Sequence, residues 1–591
     1  MGLSTGKLWL SLLAAGVCLP LAAMSVSLEP STPSPAKVGD VITWTANVSG
    51  AMPGTLWYRF RERRVGQNAR VIRDYGPLNR LDWAVSDHEG SFQIEVAVRN
   101  LDAFESGTAL VAYQIAPRVG TDGAAVNPTR NPLVFLYSAP ACAAGSRMRV
   151  DLTDPSGLVQ STDYHACGHG LSMNFYLAGL RPATTYTVQQ AIDSGTDFAT
   201  GAQMTLTTPP VSLPLAAYTV LKPPQPPVAQ GVLLQSSLLQ NIVATDLTGN
   251  LLWFYPVNLP FLTEAERGGR FLGIYWDATL DPSAQFLREF DLAGNTILET
   301  NAARVSEQLR LRGMQPVNAF HHDARLLADG KILTLAASER VLTDVQGPGA
   351  VDVIGDTILV LDTNLQVVWA WDAFDHLDPR RMAVLNETCT RGGGGCAPFY
   401  AAPQANDWLH GNSVQLTPDG SILYSSRHQD WLIKIDYRNG EGAGDVLWRL
   451  GKGGDFQAQS NDPDPWFSHQ HDANFLADDN SILTVFDNGN TRQFSNPSAH
   501  SRGQVIQLDE ANHVATFKLN VDLGAFSMAL GTAQLLSNGN YSFDLGWIPG
   551  SQGQVGSCQM MEVDPTGAAV YDLQAATVVY RAMRMRDLYT P

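Results

Sequence analysis

The stretch Asp246-Leu247-Thr248-Gly249-Asn250-Leu251-Leu252-Trp253 decides the fold, because it recurs. An aspartate opens a short turn, and an apolar run that often ends on an aromatic residue follows it. Further copies run from Asp291 to Leu298, Asp362 to Trp369, Asp509 to Thr516 and Asp564 to Tyr571, and a copy with a longer turn runs from Asp436 to Trp448. Each reads as a β-hairpin whose turn needs positive φ, supplied by Gly or Asn. One hairpin cannot bury its own apolar face, so the copies must stack or close on one another. The gaps between them vary from 45 to 74 residues. A solenoid does not accept such irregularity, whereas a propeller tolerates long loops between blade strands. The expectation is an all-β chain with a six-bladed β-propeller over residues 211–591.

Upstream of the repeats, Pro209-Pro210, Pro214 and Pro223-Pro224-Gln225-Pro226-Pro227 mark a boundary and read as a stiff spacer. Residues 26–130 alternate apolar and polar positions, as in Val38–Ala46 and Ser91–Val98, and resemble an immunoglobulin-like β-sandwich. Residues 131–210 form a second β unit. Its Leu177–Val188 stretch resembles the leucine, proline and tyrosine corner of fibronectin type III domains, which makes Tyr186 structural. His165 and His169 flank Cys167 and read as solvated loop residues. Residues 1–25, with Lys7 ahead of the apolar Leu8–Ala23, read as an export signal cleaved near Ala23 to Ser25. The expected location is a bacterial periplasm, with no stable membrane insertion.

Composition narrows the partners. Of 591 residues, 39 are Lys or Arg and 57 are Asp or Glu, a formal charge of −18. An acidic chain repels phosphate backbones, so nucleic acid is not expected as a partner. With Cys18 in the signal, five cysteines remain. Cys389 and Cys396 bracket a loop with four consecutive glycines and are expected to close a disulfide. Cys142 and Cys167 are a looser pair, which leaves Cys558 free.

A second pattern overlies the repeats: a histidine, a polar residue, then an apolar run ending at a turn. It occurs at His322-Asp323 before Asp329-Gly330, at His410-Gly411-Asn412 before Asp419-Gly420, and at His471-Asp472 before Asp479-Asn480. Three imidazoles from three repeats would meet at one mouth of a propeller. Arg427 follows the strand after His410 and can enter the same place. A metal centre is one reading, since imidazole is a common ligand and His469-Gln470-His471 has the spacing of two residues on one strand face. An arginine beside a divalent cation is unfavourable, so three histidines and an arginine without clustered carboxylates suit an anion better.

The His322-Asp323, His410-Gly411-Asn412, Ser426-Arg427, Gln470-His471 and Phe486-Asp487-Asn488-Gly489 segments, with the Cys389/Cys396 loop, resemble bacterial periplasmic arylsulfate sulfotransferases. The resemblance covers most of the propeller region and is most specific from His410 to Gly489. It implies transfer of a sulfuryl group from a phenolic sulfate ester to another phenol, without a nucleotide donor and without a cofactor or metal. His471 matches the nucleophile that is transiently sulfated. His322, His410 and Arg427 match groups that steady the transferred anion, and Asn412 is a candidate oxyanion donor. His321 remains an alternative to His322, and the histidine that protonates the leaving phenol is left open. Trp408, Trp431, Trp466 and Phe467 are candidates for a phenol-binding wall. A homodimer is left open, as are a metal-dependent propeller lyase or hydrolase and a non-catalytic module for sulfated or acidic ligands.

Overall fold

All six aspartate repeats fall at one place in the architecture, the turn between the third and fourth strands of a four-stranded antiparallel sheet. In the computed structural model, which describes residues 24–591 except 122, 169, 277–279, 394–398, 400, 477–478 and 552–554, the chain is all-β with a few short helices. The expected export signal (but for its last two residues), His169 and Cys396 lie outside the described residues. Asp246 shows how the turn is made. Its Oδ1 accepts the N–H groups of Thr248 and Asn250 at 2.9 and 3.0 Å, and Gly249 takes φ +89°. Asp291 with Gly294, and Asp564 with Gly567, repeat the device. In two copies the expected Gly or Asn is absent at positive φ, and Leu365 (+61°) and His513 (+53°) take its place. There the carboxylates of Asp362 and Asp509 hold the turn by accepting from main-chain N–H groups.

Five of the sheets use consecutive strands. They run from Phe261–Glu266 to Thr296–Asn301, from Ala319–Leu326 to Val367–Asp372, from Gly411–Leu416 to Val446–Gly451, from His471–Phe475 to Val514–Asp522, and from Thr532–Leu535 to Ala569–Ala575. The sixth takes Val232–Ser237, Val243–Thr245 and Leu251–Phe254 from the start of the region. Its remaining strand, Val579–Met585, comes from the end of the chain and pairs with Val232–Ser237. The first strand of each sheet touches the first strand of the next. The circuit runs from Phe261–Glu266 through Ala319–Leu326, Gly411–Leu416, His471–Phe475, Thr532–Leu535 and Val579–Met585, and back to Phe261–Glu266. Apolar layers fill the spaces between adjacent sheets, for example Leu333, Val360, Val414 and Ile433 between the second and third of these.

The proline-marked stretch is not wholly a spacer. Tyr218–Lys222 forms a strand along Ala569–Ala575, at the outer edge of the last sheet. The five residues contain no proline, so their N–H groups are available to the ladder that the flanking prolines cannot join.

Strands from Ser25 to Ala116 form two facing sheets around Trp44, Trp83 and Tyr113, whose rings meet edge to face. Those from Ala125 to Thr207 form a second pair of sheets around Tyr137, Phe175 and Tyr186. Arg181 N–H donates to the buried Tyr186 hydroxyl at 2.8 Å, the corner contact expected from the sequence. Cys142 and Cys167 form a disulfide, Cα–Cα 5.3 Å, and Cys558 is free and buried. Cys389 is disulfide-bonded, while its expected partner Cys396 is not among the described residues. The sandwich joins the ring directly, because Arg73 of Arg70–Gly76 pairs in parallel with Glu299 and their side chains meet at 2.7 Å. No helix among the described residues is long and apolar enough to cross a membrane.

Candidate active site

His322, His410 and His471 stand at the starts or bulges of three neighbouring first strands. His322 and His471 share one register, and His410 lies two residues earlier. Counted back from Leu327, Thr417 and Leu476, whose N–H groups close the three following turns, they lie five, seven and five residues away. The offset is absorbed by bulges, since each ladder slips between Phe320 and Ala324, between Gly411 and Ser413, and between His471 and Asn474. His322, His410 and Asp472 take φ of +57°, +50° and +47° there, a conformation that non-glycine residues keep only when their surroundings impose it.

The rings of His322 and His410 lie 4.8 Å apart, centre to centre, at 66°. His471 Nδ1 is 2.6 Å from Asn488 Oδ1. The amide nitrogen of Asn488 donates to the carbonyls of Ser527 and Leu530 at 2.9 and 3.0 Å, which fixes which atom of the amide faces the ring. An amide oxygen only accepts, so the ring proton sits on Nδ1 and the lone pair on Nε2, where Leu530 N–H approaches to 3.2 Å. Burial pushes the His471 pKa far below its ordinary value, and the charge of Arg427 adds to this against the pull of Asn488. His322 is likewise pushed far down, by burial and then by His410, His321, His471 and Arg427. Neutral imidazoles result.

His410 Nδ1 is 2.6 Å from Asp407 Oδ2. His428 stacks on His410 at 4.5 Å, with its Nδ1 2.7 Å from the Asp407 carbonyl, and its Nε2 accepts from the Arg427 guanidinium. Arg427 also donates to the Met528 carbonyl at 3.3 Å, and its Nε is buried without a partner. Asn412 donates to the Gln470 carbonyl at 2.7 Å, and its buried Oδ1 is unpartnered. It therefore ties its strand to the segment carrying His471 through one of its two amide N–H groups.

The His469-Gln470-His471 pair does not share a face. Both ring nitrogens of His469 meet carboxylates, Nδ1 at 2.9 Å from Asp430 and Nε2 against Glu387, on the far side of His428 from His410. Two groups, Asp407–His410–His428 and Glu387–His428–His469, bring ligand atoms close enough for a metal ion. Both share His428, whose Nε2 already accepts from Arg427, so a cation there would meet the guanidinium. The donor set fits an anion better.

The expected aromatic wall is not formed as proposed from sequence. Trp408 and Phe467 are buried in inter-sheet layers, because each strand that carries the site must also pack its sheet. Trp431 lies against the Arg381 guanidinium at 3.7 Å. Exposed apolar side chains near the site come instead from Val384, whose N–H donates to the His428 carbonyl, and from Met528, whose carbonyl caps Arg427. Sequence reasoning also passed over Asp407, Asn488 and His428. Asp407 carried the signal of an acid three residues before a histidine, and Asn488 lay in a segment that had been singled out without a role.

A family model described as Arylsulfotransferase (ASST) matches residues 217–581, well over half of the chain and nearly all of the ring. The chain belongs to the arylsulfotransferase family. It is an enzyme of the aryl-sulfate sulfotransferase class, and phenolic substrates follow from that membership. No curated protein matches the sequence. Among solved structures, the chicken CNTN1 FN1-FN3 domains match at 11% identity, over 30% of this chain and 66% of that one, with a TM-score of 0.13. A likeness at that score carries no argument about fold or function.

Proposed function

We propose that this arylsulfotransferase moves a sulfuryl group from a phenolic sulfate ester to a second phenol by a ping-pong route through His471 Nε2, without a nucleotide sulfate donor. The observation that carries the reading is the Asn488 lock, which leaves Nε2 as the basic nitrogen of a neutral ring, met at 3.2 Å by Leu530 N–H and close enough to Arg427, His410 and His322 to feel or exert charge. In the first half-reaction the Nε2 lone pair forms an N–S bond as the ester S–O bond breaks. The departing phenolate takes a proton from His410 Nε2, whose ring is held by Asp407 and is the most exposed of the three. In the second, a phenol returns its proton to His410, its oxygen attacks sulfur, and the N–S bond breaks. Arg427 and His322 donate to the sulfuryl oxygens, where negative charge spreads. The exposed Met528 and Val384 would sit against the aryl rings.

The closed circuit of first strands, with one sheet completed by the chain's last strand, supports a six-bladed propeller with the site at its mouth. Export to the periplasm, suggested by residues 1–25, is consistent with a route that needs no nucleotide donor. Brief exposure of the protein to an aryl sulfate, followed by peptide mass spectrometry, should find a sulfuryl adduct on His471. An adduct elsewhere, or transfer that proceeds with none, would remove the mechanism.

A further inference from the structure

His321 was an alternative to His322 in the sequence, and the structure gives it a separate place. Its Nδ1 lies 2.9 Å from His322 Nδ1, and its Nε2 lies 3.1 Å from Asp356 Oδ1. Two ring nitrogens at hydrogen-bond distance share one proton, since two donors or two acceptors would repel. Asp356 is a buried carboxylate that also accepts from Gly411 N–H at 2.7 Å and from the Tyr424 hydroxyl. Burial opposes its charge, yet His321, Tyr424 and Gly411 together hold its carboxyl below the usual range. A carboxylate 3.1 Å away favours a proton on His321 Nε2, although the angle between them falls short of a hydrogen bond.

We propose that Asp356 and His321 are positioning residues that set the tautomer of His322, so that His322 turns Nε2–H toward the sulfuryl oxygens. The inference rests on the sulfuryl-transfer reading of the site. Two states of the pair satisfy the distances. In one, His321 is neutral, His322 donates from Nδ1, and His322 Nε2 is a bare lone pair that would repel an anion. In the other, a proton added at His322 Nε2 has moved the shared Nδ1 proton onto His321, which becomes an imidazolium against Asp356. His322 is then neutral and donates from Nε2. The balance is one proton taken up and one passed along, with no other bond changed.

The surroundings favour storing the charge on His321. His322 faces His410, His471 and Arg427, all cationic or able to become so, while its own burial disfavours charge. Tyr580, against His322 from the last strand, is held neutral by burial, and its hydroxyl donates to the His322 carbonyl. His321 alone has a carboxylate behind it that is not already tied to another histidine, since Asp407 serves His410. A buried cation beside a buried carboxylate survives where an isolated one does not. The small void of about 20 Å³ bounded by His321, His322, Asp356 and His410 has room for one water at most, so the two rings and the carboxylate remain each other's main partners.

The donating state needs the extra proton, so it is lost as pH rises. Removing the Asp356 charge destabilises the imidazolium and moves that loss to lower pH. Histidine-selective ¹⁵N labelling of the full protein, with the His322 signals assigned by their absence in His322→Gln, should show Nε2 protonated and Nδ1 bare. An Nδ1-protonated His322 throughout the active pH range would overturn the proposal, whatever any variant does. In Asp356→Asn the alkaline limb of kcat/KM should move down by about one pH unit or more, and kcat should fall about a hundredfold near neutrality, as for loss of one oxyanion donor. A fall in activity with an unmoved limb would mark Asp356 as merely structural and also overturn it. The His471 adduct test is independent. A missing adduct with an intact Nε2–H tautomer sinks the transfer mechanism and leaves the relay standing.

Discussion

Two arginines close to the histidine site, the half-buried Arg427 and the buried Arg581, are used in opposite ways. Arg581 donates to Asp323 at 2.8 Å, to the Thr263 carbonyl at 3.1 Å and to the Asn412 carbonyl at 3.2 Å, with Asp472 at 3.7 Å. Those carboxylates are themselves tied to neighbouring strands through Val414 and Ala533 N–H groups. Burial works against its charge, but Asp323 and Asp472 raise its pKa well above the ordinary value. Arg427 meets a histidine ring and a carbonyl, and its Nε has no partner; among the described residues no carboxylate is in ion-pair contact with it. Burial wins there, and its pKa falls despite Glu387, Asp407 and Asp430 nearby. An arginine whose donors are filled from the protein holds strands together. One with donors left over is waiting for an anion. Asp323 and Asp472 directly follow His322 and His471, so the paired arginine forms a rigid floor under the unpaired one's site.

The largest effect expected is at His471. His471→Ala should abolish transfer and leave no sulfuryl adduct, measured by turnover of an aryl sulfate with an acceptor phenol, while thermal stability stays near that of the parent. Next comes the exchange between the arginines. Arg427→Gln should lower kcat/KM by about 10²–10³-fold, as for loss of a preorganised charge donor, with little change in unfolding. Arg581→Met should instead cost about 3 kcal/mol in denaturant unfolding, because the buried Asp323 and Asp472 lose their more deeply buried partner and keep only Arg325, at 3.2 and 3.4 Å. If Arg581→Met folded normally and lost only catalysis, or Arg427→Gln unfolded the protein, the division between them would break.

A smaller effect concerns pH. His471 must be neutral to attack, and burial with the Arg427 charge holds its pKa below the ordinary value. The acid limb of kcat/KM should therefore lie below about pH 6.5. Taking away the Arg427 charge removes a repulsion from the imidazolium, so the limb in Arg427→Gln should move upward. A downward shift would mean that Arg427 does not face His471.

The sequence made the repeated hairpin readable because its cause is local: an aspartate that accepts two main-chain N–H groups two and four residues on, before a residue at positive φ. The same locality made Tyr186 and the Cys142–Cys167 pair legible. What failed had non-local causes. His322 and His471 do share the phase read from the sequence, but His410 lies two residues earlier, at a bulge set by pairing with the next strand. Trp408 and Phe467 look free in a loop-rich stretch, and only the neighbouring sheet buries them. Asn488 fixes the tautomer of His471 from 17 positions away, and such a separation leaves no spacing to find, whereas Asp407 stands only three residues before the ring that it holds. The strand Tyr218–Lys222 was hidden by the prolines on both sides.

The smallest effect tests whether a filled group far from the site behaves like Arg581 in miniature. The Tyr186 hydroxyl accepts Arg181 N–H at 2.8 Å in the second sandwich, where Thr208 Oγ1 donates to the Arg181 carbonyl at 2.6 Å. Tyr186→Phe keeps the buried ring and strands one N–H group. The cost should be about 1 kcal/mol, read as faster hydrogen exchange at the Arg181 amide and its strand neighbours from Thr185 to Asp193. Sulfuryl transfer should not change, since Arg181 meets the ring only at Asp246 on its outer hairpin. A loss of turnover in Tyr186→Phe would mean that the sandwich sets the geometry of the histidine site, and that filled and unfilled groups are coupled through the whole molecule instead of only across the floor beneath His471.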